Sequence, residues 1–161
     1  MTPQVLRIIL TTIALVSLKV LDTPLIYPIA SLFILDLVDC DFYRLYDKTV
    51  KCSKKDTPYQ ISDKILDLYA YLLFIILFYK KMDKLNLTLF ICFFIYRTIG
   101  VYQFYKTEDR EYIKIFFDGM NGLLVLLELS NRYSVIKNNY TLMIGIMILI
   151  KILFERIHHT V

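Results

Sequence analysis

Runs of mainly apolar residues, each close to the length of a membrane crossing, recur about six times in 161 residues: Val5–Leu21, Pro24–Tyr43, Ile61–Tyr79, Leu85–Phe104, Tyr112–Leu129 and Tyr140–Phe154. A helix needs roughly 20 such residues to cross a bilayer. In lipid, only helices and closed barrels satisfy every backbone polar group. A barrel would show alternating segments of about ten residues, whereas these runs are continuous. The chain therefore reads as all-α, a polytopic membrane bundle of about six transmembrane helices, with 1–161 as one domain. Four glycines and four prolines leave little loop material, and the 57% hydrophobic content exceeds that of an ordinary soluble domain. No nucleic-acid partner is expected; the partner implied is the lipid bilayer.

The first run carries Arg7 and Lys19 near its ends, where long side chains snorkel to the interface. It lacks a small-residue cleavage site before Asp22, so it reads as a retained helix and not as a signal peptide. Most connections are short; the exception is the lysine-rich loop Arg44–Gln60. Six spans place both termini, this loop and the Lys106–Lys114 loop on one side. That side carries lysine and arginine in a ratio of roughly two to one over the other, which predicts that it is cytoplasmic. The sequons at Asn86 and Asn139 fall on the opposite side, close to the membrane, and carry little weight.

Carboxylates cluster where two of these runs meet the predicted cytoplasmic face. "ILDLVDCDFYRLYD" holds Asp36 and Asp39, three apart, and "SDKILD" holds Asp63 and Asp67, four apart. Either spacing puts both members of a pair on one helix face. Asp36 is embedded in apolar sequence, where a charge costs roughly 2.5–3.5 kcal/mol at mid-bilayer, so it calls for a positive partner. Hard oxygen donors from two packed helices suit Mg²⁺ or Mn²⁺. Bound metal can hold a diphosphate for in-line displacement, with one carboxylate free to deprotonate an attacking hydroxyl. Asp41 and Asp47 read as ordinary interfacial charges.

These residues resemble the CDP-alcohol phosphatidyltransferases, six-span enzymes with the pattern D-x-x-D-G-x-x-A-R followed by G-x-x-x-D-x-x-x-D. "DLVDCDFYR" puts Asp36, Asp39 and Arg44 on the first two aspartates and the arginine. "YQISDKILD" puts Asp63 and Asp67 on the last two aspartates. The resemblance implies transfer of a phosphatidyl or phosphoalcohol group from CDP-diacylglycerol or a CDP-alcohol to an alcohol acceptor, with release of CMP. It implies Asp36, Asp39, Asp63 and Asp67 as metal ligands, Asp67 also as general base, and Arg44 on the nucleotide or its phosphates. Arg97, in "FIYRTIG", resembles the basic residue that family members often carry there for an acceptor or phosphate. A homodimer is implied as well.

Three positions depart from the pattern. Cys40 and Tyr59 replace the two glycines that line the nucleotide site in the family, Tyr43 replaces the alanine, and the intervening loop is longer. These departures favour an alternative, a catalytically inactive family-derived membrane protein that binds metal or lipid or supports a partner. Retention of all four aspartates favours the enzyme. Intramembrane prenyltransferases also hold Mg-diphosphate on aspartate pairs, but they are much longer bundles.

The remaining polar residues have plainer readings. Arg97 and Asp118 are charges inside predicted spans, and pairing with each other is the simplest expectation. Gly119 and Gly122 suit close helix packing. The Lys48–Lys55 run reads as a solvated face on anionic lipid, and His158 and His159 as a tail. Cys40, Cys52 and Cys92 show no zinc or redox spacing, and their odd number predicts packing thiols without a disulfide framework.

Overall fold

Nine α-helices and one 3₁₀ turn make up the described part of the chain, with no strand among the described residues. The computed structural model describes residues 2–46 and 57–159. These divide into two compact units, Met1–Met82 and Asp83–Val161.

In the first unit, α1 (Pro3–Val20) opens with Pro3 in its first turn and Thr2 as N-cap. Proline suits that position because its missing N–H would be unpaired there anyway. The helix ends in a Schellman motif: Asp22 takes a left-handed φ of 47°, its N–H donates to the Lys19 carbonyl, and the Thr23 N–H donates to the Leu18 carbonyl. The helix buries one stripe, Arg7, Thr11 and Leu15, spaced by four. Its opposite stripe, Ile9, Ile13, Val16 and Val20, is exposed.

The buried stripe faces α4 (Thr57–Phe78), whose buried residues Asp63, Leu66, Asp67, Ala70, Tyr71, Phe74, Ile75 and Phe78 recur at threes and fours. Near one end Arg7 meets Asp63 and Asp67, midway the Thr12 and Tyr69 hydroxyls lie 2.6 Å apart, and near the other end the Lys19 ammonium lies over the Phe78 ring. The two helices therefore run parallel. Helix α2 (Ile26–Leu37) runs back between them in sequence and brings Asp36 to the Arg7 end.

The predicted span Pro24–Tyr43 is not one helix. The chain breaks at Val38 and restarts as α3 (Asp39–Tyr46). The break separates Asp36 from Asp39, so a shared helix face does not follow from their spacing. Helix α3 also shortens the predicted Arg44–Gln60 loop, as does the start of α4 at Thr57. Residues 47–56, including Asp47, Cys52 and the whole Lys48–Lys55 run, lie outside the described residues.

The second unit starts with α5 (Lys84–Thr107), N-capped by Asp83, whose carboxylate accepts from the Asn86 N–H at 2.7 Å. Asn86 also donates its side-chain amide to Asp83 and accepts from the Tyr140 hydroxyl, which ties the start of α5 to the start of α9 (Tyr140–His159). This amide is buried and used at both ends, so that sequon is structural.

The predicted span Tyr112–Leu129 is likewise broken, into α6 (Glu111–Ile115) and α7 (Met120–Arg132), with the five-residue α8 (Ser134–Asn138) following. Asp118 accepts from the Met120 N–H and so starts α7 afresh. The three glycines at contacts sit where helices close up. A Cβ on Gly100 would lie 2.1 Å from that of Phe116, one on Gly119 would meet the Phe93 ring, and one on Gly122 would meet the Met147 thioether.

Among the described residues, two helices are long and apolar enough to cross a bilayer, α1 and α5. Helix α4 has the length, with 22 residues, but its first half carries Asp63, Lys64 and Asp67. Helices α5 and α9 each expose an apolar stripe at helical spacing, Ile91, Ile95 and Ile99 on one, Leu142, Ile146, Leu149 and Leu153 on the other.

Candidate metal centre

Three carboxylates converge at the Arg7 end of the first unit. Asp36, Asp63 and Asp67 each offer an oxygen, and the three oxygens lie within 4.8 Å of one another. The topology makes this convergence: α2 delivers Asp36 from its last turn, and α4 delivers Asp63 and Asp67 from one face, four residues apart. Asp63 and Asp67 are 7% and 8% exposed, while Asp36 stands at the mouth with a half-exposed side chain.

The cluster has two cations of its own. Arg7, only 3% exposed, donates from Nη1 to Asp63 Oδ1 at 3.0 Å and from Nη2 to Asp67 Oδ1 at 2.8 Å. Its Nη2 also lies 3.6 Å from Asp36 Oδ1. The Lys64 ammonium donates to Asp63 Oδ2 at 2.7 Å and to Asp67 Oδ2 at 3.2 Å. All four carboxylate oxygens of the buried pair are thus held by nitrogen, with Oδ1 on the guanidinium and Oδ2 on the ammonium. Buried charges demand such pairing, since an isolated one would be prohibitively costly.

The donor set fits a hard divalent cation: three carboxylates, no sulfur or imidazole, and a spacing that one ion can bridge. The nitrogen contacts set the condition that a bound ion must displace one of them. Both members of the 63/67 pair named from sequence are therefore in place, as is Asp36. The side chain of Asp39 lies outside the described residues.

The other site candidates are scattered in character. Arg44 is exposed near the end of α3. Tyr59 packs edge-on against Tyr43, with ring centroids 4.9 Å apart. The residues that depart from the family pattern at the alanine and at one glycine thus fill space together. Cys40 is disulfide-bonded, while Cys92 is free and exposed. This corrects the reading of all three cysteines as free packing thiols: an odd count leaves one over, but it does not forbid a pair.

Arg97 is buried and donates to the main-chain carbonyls of Ile113 and Phe116, at the C-terminal end of α6. That is a structural use of an arginine, since helix-end carbonyls lack partners and carry partial negative charge. Asp118 accepts from the Met120 N–H in a local turn just before α7, a role that the expectation of an Arg97 pair did not include.

Arg7 is the member of this charge cluster that sequence reading passed over. It looked like a snorkelling end residue. The signal lay in its register, since it shares the buried stripe with Thr11 and Leu15 and so points inward.

No protein-family profile, no curated protein and no solved structure matches this chain.

Proposed function

We propose that this chain is a multi-pass membrane enzyme of the CDP-alcohol phosphatidyltransferase type. It would transfer a phosphatidyl or phosphoalcohol group from a CDP-activated donor to an alcohol, with Mg²⁺ or Mn²⁺ at Asp36, Asp63 and Asp67, and Asp39 as the fourth ligand implied by the motif. The observation that carries this reading is the convergence of three carboxylates from two helices within 4.8 Å. The motif spacing supports it, and so do the apolar stripes exposed on α1, α5 and α9, which suit lipid better than water.

The divalent ion would supply charge neutralisation at the diphosphate. The chain's own groups do the rest. Asp67 takes the proton of the acceptor hydroxyl on its carboxylate. As that proton leaves, the hydroxyl oxygen bonds to phosphorus, the phosphoanhydride bond breaks, and CMP departs with the bonding pair. Arg7 holds Asp63 and Asp67 in register, a positioning effect on which the rate depends. Arg44, which is exposed, would meet the nucleotide or its phosphates, as the motif implies.

The site is proposed to face the cytoplasm, because the positive-charge bias is spread over several loops. The disulfide at Cys40 pulls the other way, since such bonds persist in oxidising compartments.

A second reading has two observations behind it: the buried carboxylates already have internal cations, and Tyr43 and Tyr59, both within the motif, pack edge-on against each other. On that reading the chain is an inactive relative that binds lipid or supports a partner.

CMP release separates the two. Purified protein with CDP-diacylglycerol, Mn²⁺ or Mg²⁺ and a panel of small alcohols should release CMP. Asp67→Asn should cut the rate by about 10²–10⁴, the usual worth of a general base, with helical content unchanged. No CMP from well-folded protein with any acceptor would sink the enzyme reading.

A further inference from the structure

Two cations hold one pair of carboxylates, and they differ in every respect that governs exchange. Arg7 reaches across from α1, its side chain is 4% exposed, and its planar fork spans Asp63 and Asp67. A guanidinium keeps its charge at any accessible pH and is pre-organised for two carboxylates at once. Lys64 lies on α4 beside its own acceptors, one residue from Asp63 and three from Asp67, and its side chain is 21% exposed. Its ammonium is a compact, strongly hydrated charge on a flexible four-carbon stem. It can swing to water without moving a helix, whereas Arg7 can leave only by separating α1 from α4.

We propose that Lys64 is the exchangeable cation of this site and Arg7 the fixed one, so that a divalent ion enters by displacing the Lys64 ammonium from the Oδ2 atoms of Asp63 and Asp67 while Arg7 keeps their Oδ1 atoms. The inference rests on the divalent-metal reading above and adds the residue that regulates occupancy. Charge supports the exchange. A divalent ion carries one positive charge more than the ammonium it displaces, which three carboxylates lying together in a low-dielectric setting favour. Lys64 thus acts as a built-in competitor: it keeps the carboxylates paired in the metal-free state and sets the metal concentration at which the site fills.

The test uses the full chain in detergent, titrated with Mn²⁺ and followed by electron paramagnetic resonance of the free ion. Lys64→Gln should bind Mn²⁺ up to about fivefold more tightly than the unaltered chain, the size expected for removing one partly exposed ion-pair partner. Asp67→Asn in the Lys64→Gln background should lose that gain. Circular dichroism confirms that each variant is folded. Mn²⁺ bound by the unaltered chain with equal or weaker binding in Lys64→Gln would overturn the inference and leave the metal reading standing. A gain that survives Asp67→Asn would place the ion elsewhere and overturn it too. No Mn²⁺ bound by either protein would remove the metal reading, and the inference with it.

Discussion

Arg7 and Arg97 look alike in the sequence: each is a lone arginine in one of the two helices long and apolar enough to cross a bilayer, and each is almost fully buried, at 3% and 4% exposure. Their partners separate them. Arg7 meets carboxylates on another helix, while Arg97 meets main-chain carbonyls at the end of a short one. Carbonyls are neutral and form part of the fold wherever α6 ends. Carboxylates are charged, titratable and able to change partner. An ionisable group within an apolar helix is a functional hypothesis by default, but here the acceptor type decides which arginine belongs to a site and which closes a helix end.

The comparison breaks or holds most visibly on stability. Arg7→Met leaves Asp63 and Asp67 buried without the guanidinium that holds their Oδ1 atoms, and stripping one partner from a buried pair costs about 3–5 kcal/mol. Thermal unfolding in detergent, followed by helical circular dichroism, should show the largest loss of any variant discussed. Adding Asp67→Asn to Arg7→Met should return part of that loss, because it removes a charge the guanidinium had balanced. If the double variant is no more stable than Arg7→Met alone, Arg7 holds α1 to α4 by packing and not by charge.

Arg97→Met should cost less, about 1–3 kcal/mol, the penalty for leaving buried carbonyls without donors. The same unfolding measurement reads it, and the Mn²⁺ affinity of the protein should stay put. A drop in metal binding would erase the distinction drawn between the two arginines.

Much of this was legible before any coordinates. Long apolar runs gave the helical class and nearly all the helix positions, because burial of a continuous apolar stripe leaves a strong periodic trace. The first break left none, since Leu37–Val38 is as apolar as the helix it ends and hydropathy carries no information on backbone torsion. The second runs from Phe116 to Gly119, where the Asp118-Gly119 turn signal was absorbed into a long apolar run. Within the site, the spacing of Asp63 and Asp67 foretold their shared face because four residues on one helix is local geometry. The arrival of Asp36 beside them followed from a packing assumption, and it holds. Arg7 could not be assigned from spacing, since its partners lie 56 and 60 residues away. Only the parallel run of α1 and α4 creates that pairing, and a single sequence does not state which helices run side by side.

The smallest expected effect comes from the other end of α1, where the same chemistry stands in water. The Lys81 ammonium lies 2.7 Å from Asp22 Oδ1 and also donates to the Thr23 carbonyl. The hydrogen bond from Lys81, with its charge, holds the Asp22 carboxyl below its ordinary value. A depressed folded value means that the pair contributes stability above the unfolded pKa of about 3.9 and loses it as pH falls through the folded value. Solvent screening keeps the contribution slight. Asp22→Asn removes the charge but keeps a residue that tolerates the left-handed turn. At pH 7 it should therefore lower the melting temperature far less than Arg7→Met, and below about pH 4 the two chains should converge, as the carboxyl protonates. A difference that persists in acid would locate the effect in the turn. A loss at pH 7 as large as that of Arg7→Met would mean that burial is not what gives the Arg7 cluster its weight.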